Sequence, residues 1–235
     1  MQKKKYDLVV LLLAHNEEKT IVKEILNIIK ILRVIKCKII VVEDGSMDKT
    51  REKLKSLRKK ITLITSKKRL GYTTALLKGI RASNSKFIMH SDTGNKFDYK
   101  EIVNFYKIIS KKKFDLIAGN RIKRFDSIFR KILTIGLTYY CNLIFNINFK
   151  DYDCGFKMYK TNALKEIIKN DLISKNLVSS EIFLRFIFNK KKIKQVNVKY
   201  YASKNRRSRG LPLFKIFKVI FETILNYRLI KKQII

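Results

Sequence analysis

Four consecutive β-branched apolar residues, Ile39 to Val42, run straight into Glu43, Asp44 and Gly45, and this junction constrains the chain more than any other. Residues apolar on both faces predict a strand buried within a parallel sheet. Gly45 lets the backbone turn sharply, and Ser46 or Asp48 can cap a helix that begins near Lys49. Ligands of open α/β sheets sit beyond the carboxyl ends of the strands. Two acids and a turn at that edge therefore have two readings. They form a site for hydroxyls, ring nitrogens or a bound metal, or Asp44 and Asp48 serve the turn alone.

The same unit recurs along the chain. Asp7 to Leu13 predicts a first strand, followed by a helix over 20–32 with Ile21, Ile25, Ile28, Ile29 and Leu32 on one face. A short helix to about Leu57, a third strand over 61–65 and a helix over 72–82 follow. A fourth strand begins at Phe87 to Met89 and gives way to the polar run His90 to Asn95. A helix over 97–109 and a fifth strand over 114–118 lead to Gly119, Asn120 and Arg121. This alternation is the βαβ pattern of a doubly wound α/β fold. If the strands share a parallel sheet, Asn16, Glu17, Asp44, Asp92 and Arg121 converge on one edge. That convergence outweighs any single motif.

Some chemistries drop out. The first turn, Ala14 to Glu18, has no glycine, so it is not a dinucleotide fingerprint, and no G-x-x-x-x-G-K-S/T phosphate loop occurs. Cys37, Cys141 and Cys154 are an odd number at wide spacing, with neither a disulfide framework nor a zinc pattern, which fits a reducing compartment. The first strand starts too early to leave room for a signal peptide. No uncharged apolar run reaches the ~18–20 residues that span a bilayer.

Beyond Arg121 the pattern becomes helical and apolar to about Phe149, with Arg124, Arg130 and Lys131 ahead of it. An interfacial helix beside anionic lipid and an ordinary buried helix both fit. Asp151 to Gly155 is another acidic turn. A short strand over 156–159, a helix over 161–169 and a helix over 179–188 bearing Glu181 come next. Ile193 to Tyr201 reads as a late strand, antiparallel at the edge. Arg206, Arg207 and Arg209 precede Gly210 in a loop suited to bidentate phosphate contacts, or in a merely solvated basic loop. The chain divides into residues 1–212 and a basic amphipathic helix over 213–235. That tail lies on a membrane, docks on the domain or pairs with a second subunit.

Charge narrows the partners. The 235 residues include 54 Lys and Arg against 19 Asp and Glu, a formal charge of +35. Such an imbalance suits a polyanion, an anionic membrane surface or a phosphorylated substrate. Abundant Lys, Asn and Ile with scarce Pro and Gly are also compatible with compositional drift.

Taken together, the motifs resemble those of family 2 glycosyltransferases with the GT-A fold, nearest the dolichol-phosphate mannosyltransferase-like and polyprenyl-phosphate sugar transferases. The resemblance covers about residues 5–212. The family's P-x-x-N-E turn is met by Leu13, Asn16 and Glu17, with leucine for proline. Its D-D-G-S-x-D-x-T is met by Glu43 to Thr50, and its N-x-G-x-x-x-A-x-x-x-G by Arg69, Gly71, Ala75 and Gly79. The metal motif D-x-D falls on His90, Ser91 and Asp92, so only the second acid is present. G-x-R matches Gly119 and Arg121, and D-x-x-x-G-F matches Asp151, Gly155 and Phe156. Glu181 resembles the glutamate that follows, and Arg207 to Gly210 the late R-x-x-G.

The resemblance implies a Rossmann-like, mostly parallel sheet with helices on both faces. It implies an inverting, metal-dependent enzyme that moves a sugar from a UDP- or GDP-sugar. Asn16 and Glu17 would lie near base and ribose, Asp44 would hold the base edge, and Gly71 would belong to the same nucleotide site. Asp92 would bind Mg²⁺ or Mn²⁺, with His90 as a second metal candidate. Arg121, Arg207 and Arg209 would contact phosphates. Asp151 would orient hydroxyls near the anomeric carbon, and Asp92, Asp151 and Arg121 would form the catalytic set. The acceptor would be a polyprenyl phosphate, which needs little base help, or a glycan hydroxyl of the cell envelope, with Asp151 or Asp153 as base. The protein would sit peripherally on the cytoplasmic face of the membrane, as a homo-oligomer or beside an integral membrane partner. Two other classes stay in view: a nucleic-acid-binding module, disfavoured by acids at the strand ends, and a degenerate transferase acting as a partner subunit.

Overall fold

A computed structural model describes residues 5–122, 128–174 and 178–201, together with 222, 225, 226, 228–230 and 232 of the tail. The strands are β1 (Tyr6–Ala14), β2 (Cys37–Asp44), β3 (Thr62–Ser66), β4 (Ser85–Asp92), β5 (Leu116–Ile122), β6 (Phe156–Lys160) and β7 (Ile193–Lys199). They form one sheet in the order β3-β2-β1-β4-β6-β5-β7. The pairs β1/β2, β1/β4, β2/β3 and β5/β7 are parallel, and β6 runs antiparallel between β4 and β5. Because β6 opposes both neighbours, β5 points the same way as β4. The carboxyl ends of β1, β2, β4 and β5 therefore open on one edge. This is the doubly wound, GT-A-like α/β arrangement.

The helices are α1 (Ile21–Ile31), α2 (Thr50–Ser56), α3 (Tyr72–Ala82), α4 (Glu101–Ser110), α5 (Ile128–Phe145), α6 (Thr161–Ile167) and α7 (Val178–Phe188). Strand alternation divides the core between two faces. Leu8, Val10 and Leu12 of β1 join α1, α2 and α4 in one cluster. Val9 and Leu11 join α3, α5, α6 and α7 in the other. Both faces of β1 are thus closed to water, which is why its sequence is apolar throughout instead of alternating. Gly79 lets α3 press on the sheet, since a Cβ there would collide with the Leu11 side chain.

Several boundaries differ from the expectations. β4 runs through His90 and Ser91 to Asp92, because Leu11, Leu12 and Leu13 of β1 continue the ladder beside them. β5 likewise begins at Leu116 and carries Gly119, Asn120 and Arg121 within the strand, beside Val196, Asn197 and Val198. α4 starts only at Glu101; Phe97 instead bridges to Tyr200 and packs on Phe156. β7 is an edge strand, but it pairs parallel to β5, not antiparallel. Asx and Lys-rich composition conceals such register choices, which only the neighbouring strand decides.

Arg124, Arg206, Arg207 and Arg209 lie outside the described residues, as do the side chains of Arg130 and Lys131. In the tail, Ile230 is buried in the second core cluster, while Leu225 and Leu229 are exposed. Among the described residues, no helix is long and apolar enough to cross a membrane.

Candidate active site

The turn after β2 is held from three sides. Gly45 has φ +64°, and a Cβ on it would collide with the backbone of Lys68 and Arg69. Asp44 closes the same contact. One carboxylate oxygen accepts from the Leu70 N–H at 2.7 Å, the other from Gly71 N–H at 2.9 Å. Glu43, fully buried, accepts from the Ser46 N–H and from Arg51 Nε at 2.7 Å. Arg51 also donates to the Ser66 carbonyl. Asp48, not Ser46, serves the helix start: it precedes the N-cap residue Lys49, and its Oδ1 accepts from Thr50 N–H at 3.0 Å. Ser46 Oγ instead accepts from the Asn16 N–H, and Asn16 Oδ1 accepts from Met47 N–H at 2.8 Å. Glu17 N–H donates to Thr50, and its carboxylate accepts from Thr20 Oγ1. Asn16, Glu17, Asp44 and Gly71 are thus brought together, and their hydrogen bonds join three loops into one rigid floor.

Asp92 stands at the open end of β4, with its side chain 26% exposed and Lys96 Nζ 3.6 Å from Oδ2. Its backbone N–H donates to the Gly155 carbonyl at 3.0 Å. Its carboxylate lies flat against Gly155, where any Cβ would collide with it. The glycine of the acidic turn is therefore what gives this carboxylate its seat.

The loop beyond Asp92 is anchored by a residue that sequence reading missed. Glu24 of α1, 1% exposed, accepts from Gly94 N–H at 2.9 Å, Asn95 N–H at 2.8 Å and Tyr99 Oη at 2.8 Å. The signal existed: Glu24 shares the apolar face of Ile21, Ile25 and Ile28. Glu24→Ala strips all three donors of their partner. A loss of about 2–3 kcal/mol in urea unfolding free energy is expected; a loss below about 0.5 kcal/mol would contradict the anchoring role.

Arg121 and Asp151 form a bidentate pair, Nε to Oδ2 at 2.7 Å and Nη2 to Oδ1 at 2.8 Å, with side chains only 8% and 3% exposed. Burial opposes the guanidinium charge, but the hydrogen bond and charge of Asp151 outweigh it and hold Arg121 well above its ordinary value. Asp151 also accepts from the Arg121 and Asp153 backbone N–H groups. With both oxygens committed, Asp151 orients Arg121 and the turn. Asp153, by contrast, is pushed up by burial, against the pull of Arg121 and Lys157, with Asp151 and Asp92 adding to the rise. A carboxyl so placed accepts a proton more readily than an ordinary one.

Lys157 of β6 is the second missed residue. It is fully buried, and its Nζ donates to the Tyr152 carbonyl at 2.7 Å, the Ser179 carbonyl at 2.9 Å and Ser179 Oγ at 2.6 Å. It ties the acidic turn to the start of α7. Burial pushes its ammonium down to about 8. A lysine alternating inward between Phe156 and Met158 was the available clue. Glu181 sits nearby in α7, buried and paired with Arg185 at 2.8 Å while capping the Ile173 and Ser174 N–H groups.

His90 is buried, and burial pushes its imidazole down to about 4 from 6.5, only partly offset by Asp92. The unfolded chain takes up this proton near pH 6.5, the folded chain only near 4. Stability should therefore fall as pH drops through that window, by up to about 3 kcal/mol from this group. Urea unfolding of wild type and His90→Gln between pH 7 and 4 reads it: the two curves should converge as the pH falls, and parallel curves would refute it.

Comparison with known proteins bears on the family and the fold. The model described as "Glycosyl transferase family 2" matches residues 9–168. The chain is 28% identical over 232 residues to an uncharacterised protein of Methanocaldococcus jannaschii, covering 94% of this chain and 93% of that one. It is 28% identical over 137 residues to dodecaprenyl-phosphate galacturonate synthase of Rhizobium johnstonii; the match covers 55% of this chain but only 40% of the synthase. Among solved structures, glucosyl-3-phosphoglycerate synthase of Mycobacterium tuberculosis, in complex with Mn²⁺, UDP-glucose and phosphoglyceric acid, superposes with a TM-score of 0.70 at 16% identity. The superposition covers 94% of this chain and 79% of that one.

Proposed function

The chain belongs to glycosyl transferase family 2, and on that premise we propose that it transfers a sugar from a nucleoside diphosphate sugar to a polyprenyl phosphate, in a single displacement with inversion. The observation that carries this reading is Asp92 seated on Gly155 at the open strand edge, between the Asp44 floor and the Arg121–Asp151 pair. The donor would lie along that edge, base toward Asn16, Glu17 and Asp44, diphosphate toward Asp92.

The residues present fit a divalent cation. Asp92 supplies a partly exposed carboxylate seated on Gly155, a single protein ligand, since among the described residues no cluster of three His, Cys, Asp or Glu side chains forms. Oxygen donors of this kind suit Mg²⁺ or Mn²⁺. When bound, the cation neutralises charge that grows on the departing nucleoside diphosphate. The solved relative with Mn²⁺ and UDP-glucose supports the same assignment.

The acceptor phosphate is already an anion, so its oxygen can attack the anomeric carbon without a base. The bond from that carbon to the donor phosphate oxygen breaks, and the electron pair leaves with the nucleoside diphosphate. Arg121, fixed in direction by Asp151, is the cation suited to steer a phosphate; Arg207 and Arg209 would add to it. The Rhizobium relative, named for a prenyl phosphate, favours this acceptor. Exposed Ile132, Ile135, Tyr139 and Leu143 on α5, together with the +35 charge, support a peripheral position on an anionic membrane face. A glycan hydroxyl is the second reading, favoured by one observation: Asp151 is committed to Arg121, which leaves Asp153, pushed up by burial, as the carboxyl to act as base.

The test is release of nucleoside diphosphate from a panel of UDP- and GDP-sugars, GDP-mannose included, with Mg²⁺ or Mn²⁺ and short-chain polyprenyl phosphate. Lipid-stimulated release from one donor, abolished by EDTA, is the expected result. Release stimulated only by a glycan would move the assignment to the hydroxyl acceptor. No nucleotide binding, beside tight salt-sensitive binding of RNA or DNA, would overturn the transferase reading.

A further inference from the structure

We propose that His90 serves Tyr72 and not the cation, and that the Tyr72 hydroxyl is a direct contact for the bound nucleoside diphosphate sugar. The inference rests on the transferase reading above. It starts from the departure at His90, where the family pattern would have an acid beside Asp92.

His90 is enclosed, 2% exposed, and its Nε2 lies 3.2 Å from the Tyr72 hydroxyl. The two rings meet edge to face, at 5.8 Å between centroids and 79° between planes. The imidazole is therefore oriented by the phenol, and Nε2 is spent on it. A hydroxyl offers one donor and two acceptor positions. One goes to His90, so the Tyr72 oxygen keeps capacity for a further hydrogen bond.

Tyr72 is well placed to use that capacity. It is the first residue of α3, directly after Gly71, whose N–H is held by Asp44. The residue is 39% exposed, and its hydroxyl lies within the fields of Asp92 and Asp153. A neutral phenol here reaches a phosphate or sugar oxygen without adding a third negative charge beside Asp92 and Asp153. Histidine at position 90 supplies the phenol with both a hydrogen-bond partner and an edge-to-face ring contact. Asp92 is then the protein's carboxylate on the cation, and the pair Tyr72–His90 contributes donor recognition.

Two measurements separate this from histidine ligation. The first is pulsed EPR of Mn²⁺ bound to the wild-type protein with UDP: the spectrum should lack ¹⁴N modulation from an imidazole. The second is calorimetric binding of UDP and of UDP-glucose, or GDP and GDP-mannose, to Tyr72→Phe, His90→Gln and His90→Leu. Tyr72→Phe should weaken binding about tenfold, the size of one hydrogen bond to a charged or desolvated partner, with Mn²⁺ affinity changed less than about twofold. His90→Gln, whose amide can replace Nε2, should retain affinity better than His90→Leu. A loss with the bare nucleotide identifies a diphosphate contact; a loss only with the sugar attached identifies a sugar hydroxyl. Imidazole modulation in the EPR, or unchanged binding by Tyr72→Phe with wild-type thermal unfolding, overturns the proposal. Failure of the wild-type protein to bind any nucleoside diphosphate would instead remove the transferase reading beneath it, and the proposal with it.

Discussion

Asp92→Asn is expected to lower turnover by a factor on the order of 10²–10³, the size seen when one charge-stabilising group is removed from a transition state. The substitution keeps the shape of the side chain and deletes its charge. Asp92 is partly exposed and its Lys96 partner lies at the surface side of the site, so folding should be little affected. Gly155→Ala approaches the same group from beneath. It leaves the charge in place but drives a methyl group into the carboxylate. A fall of about tenfold or more is expected there too, because small misplacements of reacting groups are costly. Nucleoside diphosphate release under saturating donor, with far-ultraviolet dichroism as the folding control, measures both. Wild-type turnover in Asp92→Asn would move the catalytic centre elsewhere.

The second large effect concerns stability. Asp151→Ala strands the buried Arg121 guanidinium, and breaking a buried ion pair in this way costs about 3–5 kcal/mol. The double replacement Arg121→Met with Asp151→Leu removes both charges and should recover most of that loss. Activity should stay absent in the double variant, because the steering cation is gone. Urea unfolding of the two proteins gives the stability difference, and donor turnover gives the separation from function. A cost below about 1 kcal/mol for Asp151→Ala would mean that water already reaches the pair.

Much of this site was legible from residue type and order. Asp44, Gly45, Asp92 and Arg121 stand out because polar residues abruptly follow apolar strands, Asp151 because it opens an acidic turn after an apolar helical stretch, and the ordered series of turns pointed to the family. What each acid does was less legible. Asp44 and Asp151 look alike in sequence, yet Asp44 spends its oxygens on backbone N–H groups while Asp151 spends them on Arg121. Asp153 resembles Asp151 still more closely, yet Asp151 takes the Arg121 guanidinium while Asp153 accepts from Ser180 Oγ at 3.5 Å. Glu24 and Lys157 escaped because a charged residue among apolar ones is weighed against its neighbours in sequence, while Glu24 finds its partners in the loop after β4 and Lys157 joins Tyr152 to Ser179 at the start of α7.

The sequence by itself determined the layering. Uninterrupted apolar strands must be covered on both faces, and amphipathic helices between them supply the cover, so a doubly wound sheet follows from local pattern and the hydrophobic effect. Turn residues then mark which edge holds the polar groups. Tertiary structure alone decided strand neighbours and side-chain partners. β6 enters between β4 and β5 in reverse, β7 joins β5 in parallel, and those pairings carry His90, Asp92 and Arg121 inside strands instead of beyond them. Local propensity has no term for a partner 30 to 80 residues away, whereas the role of a charged group depends on which donor, acceptor or counter-charge meets it there.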